Sequence, residues 1–300
     1  MSILHQSPSE AKIRRIIKSL VFGKKLFCPH CGSQSIKKYK KRYRCKACRR
    51  PFSLTSVTWL RGMKISLQSF WMIMWCWIKK LSVNQAASLC ELSRPTIIRW
   101  YGKLRKNMPE ASETRLSGII QMDEAYRGSK ERKFSIIGAK EKKGRIVLKV
   151  IPKSSVDRRD AIDFMASCVS PKSKLHTDGS SIYKKIENWY AVDHKYEIHR
   201  KWEFTLTSEI EGIWGTLTTF IRRMYHHITL DSAPGIVREF SARMTYPEWF
   251  ASPSSFFKAS LRPLVRITRT RGRPSRKSRK SEMIFPFLSS DQINLASVPS

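Results

Sequence analysis

The chain has 300 residues, with 58 Lys and Arg against 23 Asp and Glu, a formal charge of +35 and a pI near 10.3. At 41% hydrophobic and 11% aromatic it can bury a core, which excludes a wholly disordered chain, and its length suggests two domains. Such self-repelling charge calls for a polyanionic partner, and nucleic acid is preferred to membrane: the most apolar run, Phe70 to Ile78, is far shorter than the ~20 residues of a spanning helix.

Met1 to Ser9 shows no basic-then-apolar secretory pattern, so a cytoplasmic, nucleoid-associated protein is expected. After Glu10 no acidic residue occurs until Glu91, the carboxylates gather between Glu110 and Glu248, and Lys258 to Lys280 is again free of acids. This layout separates binding ends from a body with chemistry. The expected divisions are a basic head (1–62), a helical segment (63–108), a catalytic body (115–250) and a disordered basic tail (251–300).

In the head, Cys28-Pro29-His30-Cys31 and Cys45-Lys46-Ala47-Cys48 are two CxxC pairs with thirteen residues between them. Four thiolates in two such pairs can close a tetrahedron around Zn²⁺. A redox pair would need only one CxxC, in a βαβ setting that is absent. The spacing therefore predicts a zinc ribbon with Cys28, Cys31, Cys45 and Cys48 as ligands; His30 lies within the first knuckle and is expected to face solvent. Cys76, Cys90 and Cys168 read as buried thiols. Lys40, Lys41 and Arg42 belong to a run of ribbon cations suited to DNA phosphates.

Ser66 to Ile78 reads as a core helix, and Leu81 to Cys90 as a short second one. Ser93 is placed to cap a third, with Pro95 in its first turn. There Ile97, Trp100, Tyr101 and Leu104 form the buried stripe, and Arg94, Thr96, Arg99 and Lys103 the opposite face. A helix-turn-helix presenting that face to a major groove is one reading; an ordinary small bundle is the other.

The body predicts strands at Ile119–Tyr126, Phe134–Ala139 and Arg145–Ile151, and a helix at Asp157–Ser167. A strand at Lys174–Asp178, a helix near Ser181–Asn188, a strand near Tyr190–Asp193 and a long helix at Ser208–His226 follow. This is the element order of a ribonuclease-H-like sheet, giving an α/β fold class (α+β overall). Asp123 lies inside an apolar strand, where an acid is costly unless it pairs or binds a cation. Asp178 ends another strand, and Glu211 opens the long helix. Mg²⁺ (or Mn²⁺) suits three such carboxylates because it leaves positions for phosphate and water. Glu124 competes with Asp123 but faces the other side of the sheet, and Glu209 competes with Glu211. Of His226-His227, adjacent on a helix, one is expected to pack and the other to reach DNA. Trp189, Tyr190, Trp202 and Trp214 read as core. In the tail, Arg271-Gly272-Arg273-Pro274 resembles an AT-hook, with Arg271 and Arg273 in a minor groove; a merely basic tail is the alternative.

From Cys28 to about Phe250 the chain resembles the DDE transposases of bacterial insertion sequences, the ISXO-type related to eukaryotic Merlin elements. The resemblance rests on the ribbon, the helix-turn-helix, Met122-Asp123-Glu124 and His176 to Tyr183. His194, Ile210 to Trp214, Tyr225-His226-His227 and Arg238-Glu239-Phe240 with Arg243 complete it. It implies that Asp123, Asp178 and Glu211 are the catalytic metal-binding triad. It also implies that the enzyme, as a homo-oligomer on paired DNA ends, cuts at inverted repeats and joins the freed 3′-hydroxyl to target DNA. The family usually has an asparagine where this chain has Ser208, and a lysine where it has Thr218; Arg222 and Arg223, one turn on, are candidate substitutes. The alternative implied is a transposase-derived DNA-binding regulator that no longer cuts.

Overall fold

The computed structural model describes residues 7–39, 42–110, 115–128, 133–197 and 206–261. Two compact units divide them, one built on Ala11–Lys64 and the other on Ile65–Ser260. Among the described residues no helix is long and apolar enough to cross a membrane.

The first unit opens with α1 (Glu10–Phe22), a helix absent from the sequence reading, in which basic charge obscured the stripe. Ile13, Ile17 and Val21 recur every four residues and are buried. The antiparallel ribbon follows: β1 (Ile36–Tyr39), β2 (Arg42–Cys45) and β3 (Pro51–Phe52). Phe22 closes its core against Phe27 and Phe52, with ring centroids 5.3 and 6.0 Å apart.

The second unit begins with three helices, α2 (Leu67–Ile78), α3 (Val83–Cys90) and α4 (Arg94–Lys106). Ser66 caps α2, and Ser82 with Gln85 forms a reciprocal capping box on α3. Glu91, with φ of 52°, ends α3 in the left-handed region and makes the turn. Ile97, Trp100, Tyr101 and Leu104 are buried as expected. Ser93 occupies the cap position but does not bond the backbone; its hydroxyl pairs with that of Thr96 at 2.9 Å.

The sheet contains β4 (Ile119–Arg127), β5 (Phe134–Glu141) and β6 (Ile146–Ile151). After α5 (Arg158–Cys168) come β7 (Lys174–Asp178) and β8 (Asp193–Glu197). The strand order is β6-β5-β4-β7-β8. The first three strands are antiparallel, while β7 and β8 run parallel to β4. That is a ribonuclease-H-like sheet. On one face Ile120 and Met122 pack with Phe164, Met165 and Tyr183. The other face of β4 meets α6 (Ser208–Met224), where Gln121 accepts the Ile210 backbone N–H at 2.9 Å. Two further helices, α7 (Ala233–Thr245) and α8 (Pro253–Ser260), complete the unit.

Several expectations are corrected. The helix expected near 181–188 is a run of turns ending in a one-turn 3₁₀ segment, Ile186–Asn188. The fifth strand lies at Asp193–Glu197, so His194 is inside it rather than after it; its polar sequence is that of an edge strand. The tail boundary at 251 falls too early, because Phe256 and Phe257 of α8 are fully buried, with rings 5.1 Å from Trp77 and 5.8 Å from Phe70.

Helical segment and body are also one unit rather than two. Arg243 of α7 donates to the Trp77 and Ile78 carbonyls at the end of α2, at 2.7 and 3.1 Å, and to Glu239 at 2.9 Å. Tyr225 donates to the same buried Glu239 at 2.6 Å and accepts from Arg105 of α4 at 3.0 Å.

Candidate active site and metal centre

β4 and β7 pair in parallel up to Gln121↔His176, and Asp123 and Asp178 each lie two residues past that last pair. The two carboxylates thus leave neighbouring strands at one level of the sheet. Glu211 opens α6 above the same face as Asp123. Burial pushes Asp123 up to about 6, the Trp214 bond works against this, and the charges of Asp178 and Glu211 push further upward. Both acids, Asp178 and Glu211, therefore lie within electrostatic reach of Asp123. Each also has a protein partner: Trp214 Nε1 donates to Asp123 Oδ2 at 2.8 Å, Ser180 N to Asp178 Oδ1 at 3.1 Å, and Thr207 Oγ1 to Glu211 Oε1 at 2.9 Å. An oxygen-donor set in which burial and two neighbouring acids oppose the ionisation of Asp123 fits a hard divalent cation.

The structure separates the competing acids. Glu124, on the opposite face, accepts from Tyr183 Oη at 2.7 Å and is pushed up to about 7, first by burial. Glu209 turns to the β5–β6 hairpin, accepting from Lys143 N at 3.0 Å and pairing with Lys140 at 3.3 Å. Glu211 is left facing the sheet.

Sequence reading missed two supports of this site. Trp214, expected in the core, is half-buried and bonds Asp123. Gly138 lies opposite Asp123 on β5, and a Cβ there would come within 2.9 Å of Trp214 Cη2 and 2.6 Å of Leu148 Cδ2. The Asp123↔Gly138 register is the signal that identifies it. Of the other aromatics, Tyr190 packs against the core, Trp189 is 64% exposed, correcting its placement there, and Trp202 lies outside the described residues.

Thr218, two turns beyond Glu211, accepts from Arg127 Nη2 at 2.6 Å, so a guanidinium from β4 stands where the resemblance called for a cation. Arg222 is exposed and lines a cleft with Arg127, whereas exposed Arg223 lines a separate cleft with Lys80 and Arg243. Both His226 and His227 are exposed and line the Arg127 cleft, correcting the division of roles expected from a helix; α6 has ended, and His226 has φ of 63°.

In the ribbon, Cys28, Cys31, Cys45 and Cys48 are the one group of three or more His, Cys, Asp or Glu among the described residues whose ligand atoms lie within 4.8 Å of one another. The triad carboxylates do not converge that closely. Sulfurs of Cys28 and Cys48, and of Cys31 and Cys45, are 3.6 Å apart. A tetrahedron with Zn–S of about 2.3 Å has edges of roughly 3.8 Å. The sulfurs fit zinc. Burial pushes Cys28 up to about 12, a cost that a bound cation removes. His30 is half-buried and outside the cluster, not fully solvent-facing.

Of the residues expected to touch DNA, Arg94 and Arg99 are exposed on α4; Thr96 and Lys103 are half-buried, Lys103 lying 4.6 Å from the Trp100 ring centroid. Ile98, 53% exposed on the same helix, was not anticipated. Arg42 is exposed on β2, and Lys40, Lys41, Arg271 and Arg273 lie outside the described residues.

Residues 115–244 match a family model described as ISXO2-like transposase domain, and residues 8–51 match one described as transposase zinc-ribbon domain. Fold and matched domains define a transposase with a ribonuclease-H-like core and an N-terminal zinc ribbon. The chain carries an ISXO2-like transposase domain and, ahead of it, a transposase zinc-ribbon domain.

Among solved structures, the intasome of simian T-cell lymphotropic virus in complex with PP2A regulatory subunit B56 gamma is similar at 15% identity and TM-score 0.33, over 71% of this chain and 80% of that one. The magnesium-bound HTLV-2 integrase catalytic core (dimeric form) is similar at 13% identity and TM-score 0.29, over 44% of this chain and 88% of that one. The strand order, not these distant likenesses, defines the fold. No curated protein matches the chain at a significant level.

Proposed function

We propose that the protein is a metal-dependent DNA transposase that binds the terminal inverted repeats of its own insertion sequence, cuts at their ends and joins the freed 3′ end to target DNA. One observation supports this reading: Asp123 and Asp178 leave neighbouring strands at one end of the β4–β7 pair, and Asp178 and Glu211 lie near enough to oppose the ionisation of Asp123. These three carboxylates would hold Mg²⁺ or Mn²⁺. Bound there, such ions supply positive charge to an in-line phosphoryl displacement and favour a deprotonated nucleophile.

The chemistry is two displacements without a covalent enzyme intermediate. Water forms a bond to phosphorus at the element end as the P–O3′ bond breaks, leaving a 5′-phosphate and a free 3′-hydroxyl. That hydroxyl then attacks a target phosphodiester, forming the new P–O3′ bond and releasing the target's own 3′-oxygen. The chain's part is to fix the carboxylates: Trp214 holds Asp123, and the Ser180 amide holds Asp178. Zn²⁺ in the four-cysteine cluster would hold the ribbon together. Arg94, Thr96, Arg99 and Lys103 would address the groove of the terminal repeat, while Arg42 and its neighbouring ribbon cations would grip phosphates. Joining two ends calls for more than one subunit.

A second reading, a DNA-binding regulator that does not cut, draws on the Thr207–Glu211 bond and the unconverged triad oxygens. Incubating the protein with its element's end in Mn²⁺ separates the two: a boundary nick and joined products support the transposase, and tight binding with intact DNA supports the regulator.

A further inference from the structure

Beyond the carboxylates, the end of β4, the middle of α6 and the turn after it line a cleft of about 530 Å³. We propose that this cleft seats a backbone phosphate of the DNA strand being processed, gripped by the guanidinium of Arg127, with Thr218 as the positioning residue that aims it. The proposal rests on the transposase reading above and adds to it a strand-binding subsite.

Strand and helix lead from the acids to the cleft. Arg127 is on the same face of β4 as Asp123, four residues or about 13 Å further on. Thr218 is seven residues, about 10 Å, beyond Glu211 on α6. Gln121 bonds Ile210, Asp123 bonds Trp214 and Arg127 bonds Thr218, so strand and helix advance together and the cleft lies directly beyond the carboxylates. A DNA strand whose scissile bond lies at the acids, and which runs on toward this cleft, passes Arg127 within a few nucleotides.

The arginine is also free for a ligand in a way that a structural arginine is not. Arg243, in the same unit, has its charge matched by buried Glu239 and its remaining donors by the Trp77 and Ile78 carbonyls. Arg127 donates only to a hydroxyl, Thr218 Oγ1 at 2.6 Å, and to the Tyr126 carbonyl at 3.2 Å; among the described residues no carboxylate pairs with it. A half-buried guanidinium held by neutral acceptors retains donors for an anion. Arg222, His226 and His227 bring further donors to the cleft, Phe134 and Ile221 give it an apolar side, and among the described residues no acid lines it. That combination suits a nucleotide, with phosphate on the cationic side and sugar or base on the other.

The test uses the full chain and duplexes carrying the element's end, each with one phosphate near the cut replaced by a neutral methylphosphonate. For the wild type, one or two positions should weaken binding roughly tenfold, as for loss of a charged hydrogen bond. For Arg127→Ala the same replacements should have no further effect. Arg127→Lys should recover most of the sensitivity; Thr218→Val should blunt it at an unchanged melting temperature, and Thr218→Ser should restore it. If Arg127→Ala, or Thr218→Val and Arg127→Lys should the alanine variant fail to fold, keeps the wild-type profile at no loss of affinity, the subsite is wrong. A wild type that binds but never nicks in Mn²⁺ defeats the enzymatic reading instead and leaves this profile to decide Arg127.

Discussion

Trp214 donates its indole N–H to Asp123 across 2.8 Å from one turn beyond Glu211, so a single stretch of helix supplies one acid of the proposed triad and orients another. The indole favours the ionised carboxylate that burial disfavours, and it removes the rotamer freedom of Asp123. Trp214→Phe keeps the ring and deletes the donor. Cleavage should fall about tenfold to a hundredfold, the usual cost of losing a partner of a metal ligand, while end binding stays near the wild-type value. Equal cleavage by both proteins would leave the bond without a catalytic role.

Gly138 makes room for that indole. A methyl group at this position meets Leu148 and Trp214 carbons at 2.6 and 2.9 Å, closer than packed side chains tolerate. Gly138→Ala should destabilise the protein by about 1–3 kcal/mol, the range for overpacking, read from the urea midpoint. Trp214→Ala in the same background should recover part of that loss, and strict additivity of the two substitutions would show that the indole is not what the methyl group meets.

How much of this was legible beforehand follows from the kind of signal each residue carries. Asp123, Asp178 and Glu211 stood out because an acid in an apolar strand, or at a strand or helix end, breaks a local pattern. The four cysteines stood out by spacing alone. Trp214 entered only through the resemblance, without a role, and Gly138 not at all, since an indole on an amphipathic helix and a glycine in a strand look ordinary until the Asp123↔Gly138 register brings them together. Helix α1 was hidden because its basic residues dominate its composition, and β8 because an edge strand need not look apolar. Arg127 was invisible for a related reason: its meaning lies in a partner 91 residues away.

The buried Glu239 joins the helical segment to the sheet-bearing body. It accepts from Tyr225 and Arg243, pairs with Arg105 at 3.7 Å, and is itself fully buried. Glu239→Ala strands two arginines, and breaking a buried pair in this way costs about 3–5 kcal/mol. Urea denaturation should show a loss of that size; a change below about 1 kcal/mol, the range of exposed pairs, would mean that the network does not hold the two segments together.

His194 sets a pH dependence. Burial lowers its pKa from 6.5, only partly offset by Glu187 3.4 Å away, and its Nε2 lies 2.8 Å from Thr177 Oγ1. The folded protein therefore keeps the imidazole neutral where the unfolded chain begins to protonate it. Stability attached to this residue is complete above the unfolded pKa and is lost as pH falls below it, down to the depressed folded value. His194→Gln should flatten the decline in stability between pH 7 and pH 5. An identical slope in both proteins would remove His194 as its source.

In the ribbon, sulfurs spaced at 3.6 Å predict about one zinc per chain by elemental analysis. Cys45→Ser should lose that metal and open the segment around Ala11–Lys64 to proteolysis, leaving the Ile65–Ser260 unit resistant. Zinc retained at the wild-type level would contradict the ligand set.

The most direct test of the account is incubation of the purified protein with a labelled fragment carrying its own element's end, in Mn²⁺ and in EDTA, alongside Asp178→Asn. The account predicts a nick at the element boundary that requires the metal and disappears in the variant, with end binding nearly unchanged. Undiminished nicking by Asp178→Asn, or none by the wild type despite tight binding, would contradict it.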